Sequence, residues 1–222
     1  MDDIYAIIPV SHFKDAKTRL SPFLELKERE ELLKAMLKDV NSSLKDYVDK
    51  VFLISGDREV LNYAEELGIE TIVENEDSNL NKGLTQAMET LKDQTKKLII
   101  LPSDLPLIGR SNMGTLIENA KQFDFIIVPS KGGGTNALMM KPLAINMKFG
   151  EFSFLKHIKE TEKNNIIPMV HDSFFMALDV NTTEDLGEIM VHGDGTATKD
   201  YLRSLKIKVE SIHGAERLGV SR

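Results

Sequence analysis

Short apolar runs alternate with amphipathic stretches through the first two-thirds of this chain, and that alternation limits the folds open to it. Residues 3–10 (DIYAIIPV), 50–55 (KVFLIS), 69–73 (IETIV), 97–101 (KLIIL) and 124–129 (DFIIVP) read as strands. Between the first two, residues 24–47 place Leu33, Met36, Leu37, Val40, Leu44 and Tyr47 on one helical face. Asp57 is placed to cap a helix ending at Gly68, with Val60, Leu61, Ala64 and Leu67 turned inward. Residues 83–93 and 111–121 read as two further helices. Strands alternating with helices imply an α/β three-layer sandwich, with a mostly parallel Rossmann-like sheet covered on both faces. Ligands of such sheets bind beyond the carboxyl ends of the strands.

The pattern changes after residue 130. KGGGTNALMMKP reads as a glycine turn and then a strand, and FGEFSFLKHIKE (149–160) as a loop entering a helix. FFMALDV reads as a short strand ending near Asp179, and NTTEDLGEI as a helix capped by Thr182 or Thr183. Residues 1–190 are expected to form one domain. Residues 191–222 form a polar arm, with a helix around 198–205 and a strand over 206–212, that either pairs with a second subunit or folds back.

Charge excludes some partners. The net charge of −7 argues against nonspecific binding to nucleic acid or anionic membranes. No apolar run approaches the roughly 20 residues of a membrane span, and the Met-Asp-Asp start lacks the basic opening of a secretory leader. The chain has no cysteine, which removes thiol chemistry and suits a reducing, cytoplasmic setting.

Four places carry candidate chemistry. SHFKDAKTRLSP (11–22) follows the first strand and sets Lys14, Lys17 and Arg19 against one acid, Asp15. Such cations can neutralise a triphosphate, although a solvated loop gives the same pattern. The loop lacks glycine, so neither a dinucleotide fingerprint nor a P-loop can be placed there. Asp104, in LIILPSDLPLIG, and Asp179 each end an apolar run. Two carboxylates at strand ends can share one Mg²⁺ whose shell substrate phosphates complete; singly, each is an ordinary turn residue. Gly132-Gly133-Gly134-Thr135-Asn136 reads as an anion-binding turn or a plain hairpin. Gly150 and Ser153 precede a helix, where an anion or an ordinary cap fits. Asn81, Lys82 and Gly83 open another helix near a nucleotide or simply start it. His157 reads as a packed or surface histidine.

Together these segments resemble the CofC family, the 2-phospho-L-lactate guanylyltransferases. The stretches that carry the resemblance are IPV, AKTRLSP, ERE followed by AMLKDV, LISGD, LNKGL, LPSDLPLI, GGTNAL, FGEFSFLKH and LDVNTTEDL, in family order from residue 7 to 186. The resemblance implies the nucleotidyltransferase (nucleotide-diphospho-sugar transferase-like) version of the fold. It implies a reaction of GTP with 2-phospho-L-lactate, giving lactyl-2-diphospho-5′-guanosine and pyrophosphate on the route to the deazaflavin coenzyme F-420. Phosphoenolpyruvate is the alternative three-carbon acid. By the same resemblance Asp104 and Asp179 hold the metal. Lys17 and Arg19, with Lys14 beside them, meet the triphosphate, Asn81 and Gly83 lie near the nucleotide, and Thr135, Asn136, Gly150 and Ser153 hold the acid. The family often has Asp-Val-Asp-Thr-Pro where this chain has Asp179-Val180-Asn181-Thr182-Thr183, and often alanine at Gly83. Rival readings are another nucleotidyltransferase acting on a sugar phosphate, a metal-dependent glycosyltransferase, which would want an Asp-x-Asp motif, and a nonenzymatic nucleotide-binding regulator. A homodimer through the arm is an expectation of the same reading.

Overall fold

Seven strands make one sheet in the computed structural model, which describes residues 3–211 and 218–222. In chain order they are β1 (Ile4–Pro9), β2 (Lys50–Ser55), β3 (Glu70–Val73), β4 (Lys97–Ile100), β5 (Ile126–Pro129), β6 (Thr135–Met140) and β7 (Met169–Val170). Across the sheet the order is β3-β2-β1-β4-β6-β5-β7, and only β6 runs against its neighbours. β1, at the third position, is buried on both faces, which explains its unbroken apolar run. The reversal at β6 brings Thr135, the first residue of that strand, to the edge where the parallel strands end. It thus sits beside the end of β4.

Helices α1 (Leu26–Leu44), α2 (Arg58–Glu66) and α4 (Arg110–Asn119) cover one face. Their buried residues Leu33, Met36, Val60, Ala64 and Met113 join Ile8 and Leu53 in one core. α3 (Leu80–Leu91) and α5 (Ser153–Lys163) cover the other face, where Leu84 and Met88 pack with Ile7 and Phe52. α3 starts three residues earlier than expected, because the Asn79 side chain accepts from Asn81 N (3.1 Å) and Lys82 N (3.2 Å).

The segment FFMALDV is not a strand. Phe174–Ala177 forms one helical turn, α6, closed by Ala177 N donating to Ser173 O at 2.9 Å. The sheet edge beside β5 is already taken upstream, where Ile126 pairs with Met169 and Ile127 with Val170. Helix α7 (Thr183–His192) is capped by Thr182.

The arm folds back on its own chain. Asp39 of α1 accepts from Ala197 N (2.7 Å), Thr198 N (2.8 Å) and Thr198 Oγ1 (2.6 Å), which pins the start of α8 (Ala197–Ser204). Leu202 and Ile207 enter the main core, and Arg222 Nη1 reaches Glu28 at 2.9 Å. Strands β8 (Lys208–Ser211) and β9 (Leu218–Ser221) pair as a hairpin against α7. Ile212, included in the expected strand, lies outside the described residues. Among the described residues no helix is long and apolar enough to cross a membrane.

Candidate active site

A cleft of about 560 Å³ runs along the carboxyl ends of β1 to β4. Its lining includes Ser11, Gly56, Glu74 and Asp104, which follow β1, β2, β3 and β4 respectively. The loop after β1 folds into two 3₁₀ turns, Phe13–Asp15 and Thr18–Leu20. Phe13 and Leu20 are buried and hold it to the core, while Arg29 Nη1 donates to Ala16 O at 2.5 Å. Between the turns Lys17 is left-handed, at φ 45° and ψ 47°. That conformation costs a non-glycine residue on the order of 1 kcal/mol or more. It aims the ammonium across the sheet edge, where Nζ lies 2.5 Å from Asp104 Oδ2 and 2.6 Å from Val180 O.

The second oxygen of Asp104 is the outlier in this network. Oδ1 is buried and has no hydrogen-bond partner among the described residues. A buried carboxylate oxygen without a partner is costly unless a cation or donor arrives. The bond from Val180 N to Asp104 O (3.0 Å) brings the backbone next to Asp179 against that of Asp104, although Asp179 itself is not among the residues lining the cleft. The Asp179 oxygens accept from Asn136 Nδ2 (3.4 Å) and from Asn181 Nδ2. Asn181, standing where a second carboxylate was in question, is therefore a donor to the first. No group of three or more metal-binding side chains occurs among the described residues. The donor set fits Mg²⁺ held by one or two carboxylates together with a polyphosphate, rather than a protein cage.

A second cluster lies across β4. Thr135, Ser153 and His157 are all buried, with Ser153 Oγ 3.3 Å and His157 Nδ1 2.9 Å from Thr135 Oγ1. His157 Nε2 accepts from Lys148 N at 3.0 Å, which assigns the ring proton to Nδ1 and makes Nδ1 the donor to Thr135. Burial pushes the His157 pKa down to about 4, so the ring is neutral at pH 7. Thr135 Oγ1 thus accepts from two sides, and among the described residues its own hydroxyl hydrogen has no acceptor. Gly150 takes φ +126°, a conformation that L side chains rarely adopt, and its carbonyl accepts from Ser153 N at 3.2 Å. Ser153 is the first residue of α5, not its cap; Phe152 holds that position.

The expected residues divide. Lys17, Arg19, Gly83 and Asp104 line the cleft, and Thr135 and Ser153 meet in the second cluster. Lys14 is exposed and outside the cleft lining. Asn81 is spent elsewhere: its Nδ2 donates to Phe149 O (3.1 Å) and its Oδ1 accepts from Phe149 N (2.7 Å). It therefore latches α3 to the loop before α5. Asn136 bonds Met176 O (2.9 Å) and Asp179, bridging the two clusters. Sequence reasoning missed three groups: the Val180 carbonyl, Glu74, and His157 as a partner of Thr135. Only the family stretch FGEFSFLKH, which contains His157, carried a usable signal.

The family model described as "Guanylyl transferase CofC like" matches residues 4–222. The chain is 62% identical over 222 residues to the 2-phospho-L-lactate guanylyltransferase of Methanobrevibacter smithii, covering 100% of this chain and 99% of that one. It is 64% identical over 233 residues to the protein of that name from Methanobrevibacter ruminantium, covering 100% of both. Among solved structures, a 4-diphosphocytidyl-2C-methyl-D-erythritol synthase from Anaerococcus prevotii superposes with a TM-score of 0.58 at 11% identity, over 91% of this chain and 99% of that one. A cytidylyltransferase from Leptospira borgpetersenii gives 0.58 at 12% identity, over 93% and 94%. The structural likenesses establish the nucleotide-diphospho-sugar transferase fold, and the whole-length sequence match makes this chain a member of the CofC family.

Proposed function

We propose that this protein transfers the guanylyl group of GTP to the phosphate of 2-phospho-L-lactate, forming lactyl-2-diphospho-5′-guanosine and pyrophosphate. The name carried by its full-length relatives supports the reaction. In the molecule itself the supporting observation is the pairing of Lys17 with Asp104, whose second carboxylate oxygen is buried and unpartnered at the rim of the cleft. A phosphate oxygen of the acid attacks the α-phosphorus, and the bond from that phosphorus to the β-phosphate bridging oxygen breaks. A phosphomonoester is largely a dianion at neutral pH, so no general base is required. The obstacle is the approach of two anions, and catalysis is mainly neutralisation and alignment.

Asp104 and Asp179 would hold Mg²⁺, which when bound neutralises phosphate charge and orients the reactants. Lys17 and Arg19 face the triphosphate and offset charge on the departing pyrophosphate. Thr135, Ser153 and the Gly150 backbone receive the small acid. The deciding assay is pyrophosphate release with Mg²⁺ and GTP, adding 2-phospho-L-lactate or phosphoenolpyruvate in parallel. Release that depends on phospholactate is expected. Release that depends only on phosphoenolpyruvate would change the acceptor, and none with either acid would remove the proposal.

The β8–β9 hairpin is a two-stranded sheet separate from the main one, and we propose a second copy of the chain as its partner. A solution mass near the 24.9 kDa of one chain, measured by light scattering, would remove the homodimer.

A further inference from the structure

Glu74 is a carboxylate in the cleft that the reaction above does not use. It follows β3 directly, and its backbone is held on three counts. Glu74 N donates to Ser55 O at 2.9 Å, while Gln86 accepts from Asn75 N (3.0 Å) and donates to Val73 O (2.8 Å), bracketing the residue. Its side chain lies against Gly83 in the first turns of α3. A β-carbon on Gly83 would fall 2.3 Å from Glu74 Oε1, so glycine is what lets the carboxylate sit there. The helix N-terminus favours its charge. Among the described residues the carboxylate makes no hydrogen bond or ion pair.

Its distance from the chemistry follows from the sheet order. Asp104 sits at the end of β4, where the Lys17 ammonium reaches it, and Glu74 is three strands away across β1 and β2. At about 4.8 Å per strand that is roughly 14 Å along one edge. A nucleotide with its α-phosphate at Asp104 and its long axis along this edge places the base at the end of β3. The wall there suits a base: Leu80 and Leu84 of α3 line the cleft beside Glu74, Leu80 half-exposed.

We infer that Glu74 reads the nucleobase and selects guanine, an inference that rests on the guanylyl-transfer reading of the same site. Guanine alone among the common bases presents two adjacent donors, N1–H and the 2-amino group. An ionised carboxylate is acceptor-only and takes both in parallel, one per oxygen. Adenine and cytosine set a ring-nitrogen acceptor beside their amino donor, so the same carboxylate repels one half of either edge. Uracil has one donor between two acceptors. The site therefore discriminates by what it leaves unpaired as well as by what it binds.

The test compares Glu74→Gln with the unaltered protein, using GTP, ITP, XTP and CTP with saturating acid and Mg²⁺. ITP lacks the 2-amino group, and XTP replaces it with a carbonyl that a glutamine amide can serve. The unaltered protein is expected to prefer GTP over ITP and XTP. The substitution should lower kcat/KM for GTP by about tenfold or more, the scale of one bidentate base-edge pair, and shift the GTP-to-XTP ratio towards XTP. A ratio unchanged within about twofold, well below that scale, would overturn the assignment of Glu74 and leave guanylyl transfer standing. If the unaltered protein instead turns over CTP and not GTP, the functional reading itself fails, and the role of Glu74 fails with it.

Discussion

The ammonium of Lys17 and the carboxylate of Asp104 meet at 2.5 Å, although 87 residues separate them in the chain. The same ammonium takes Val180 O at 2.6 Å, so one side chain joins the loop after β1, the end of β4 and the segment before α7. Both side chains are largely covered, at 10% and 21% exposure, which keeps solvent from screening the pair fully. The contact leaves Asp104 with one oxygen neutralised and one waiting.

Asp104→Asn is therefore expected to keep the fold and lose the chemistry. Turnover should drop by on the order of 10² or more, the effect of removing one central electrostatic group. Pyrophosphate release at saturating Mg²⁺, alongside a thermal melt, checks both halves. Near-normal turnover would remove Asp104 from the mechanism.

Lys17→Ala should act mainly on the nucleotide. The proposed site sets its ammonium against the triphosphate, and Thr135 and Ser153 against the acid. The KM for GTP should rise by roughly tenfold or more, as for loss of a charge-assisted contact, with a much smaller change for the acid. Steady-state kinetics with each substrate varied in turn would show this, and equal effects on both would contradict it.

Buried His157 makes stability depend on pH. Its pKa is about 4 in the folded chain against an ordinary 6.5, so between these values the unfolded chain binds more protons. The stability this ring contributes is complete above pH 6.5, declines as pH falls, and levels off below about 4. The full loss is about 3 kcal/mol. Urea denaturation from pH 7.5 to 4 should show the slope in the unaltered protein and a reduced slope in His157→Gln. Parallel slopes would show that the ring does not titrate in this window.

Asp39 holds the arm to α1 through three hydrogen bonds, and burial raises its pKa while those bonds oppose the rise. Asp39→Ala leaves two backbone N–H groups of α8 unpaired and should cost about 2–4 kcal/mol. The midpoint of urea unfolding reads that loss. An unchanged midpoint would mean that the arm docks through Leu202 and Ile207 without help from Asp39.

Local pattern was enough for much of this molecule. Strands β1 to β4 and helices α1 and α2 follow from period and caps, because each buries a face that its own residues spell out. Asp104 and Lys17 were legible for a related reason: a charge that follows an apolar strand lands at the cleft edge when that strand is one of the parallel ones, as β1 and β4 are. Lys14, three residues before Lys17, looked equivalent in sequence. The buried anchors Phe13, Ala16 and Leu20 turn Lys17 inward and leave Lys14 in solvent.

Partnership across distance belonged to the fold. Asn81 looked like a nucleotide contact until Phe149, 68 residues on, consumed both ends of its amide. FFMALDV has strand composition, yet Met169–Val170 reached the sheet edge first. The reversal of β6 sets Thr135 beside His157, and the order β3-β2-β1-β4 sets Glu74 three strands from Asp104. Periodicity and capping depend on neighbours a few residues apart, so the chain determines them locally. Strand order and side-chain partners depend on which distant surfaces pack together, and only the assembled core decides that.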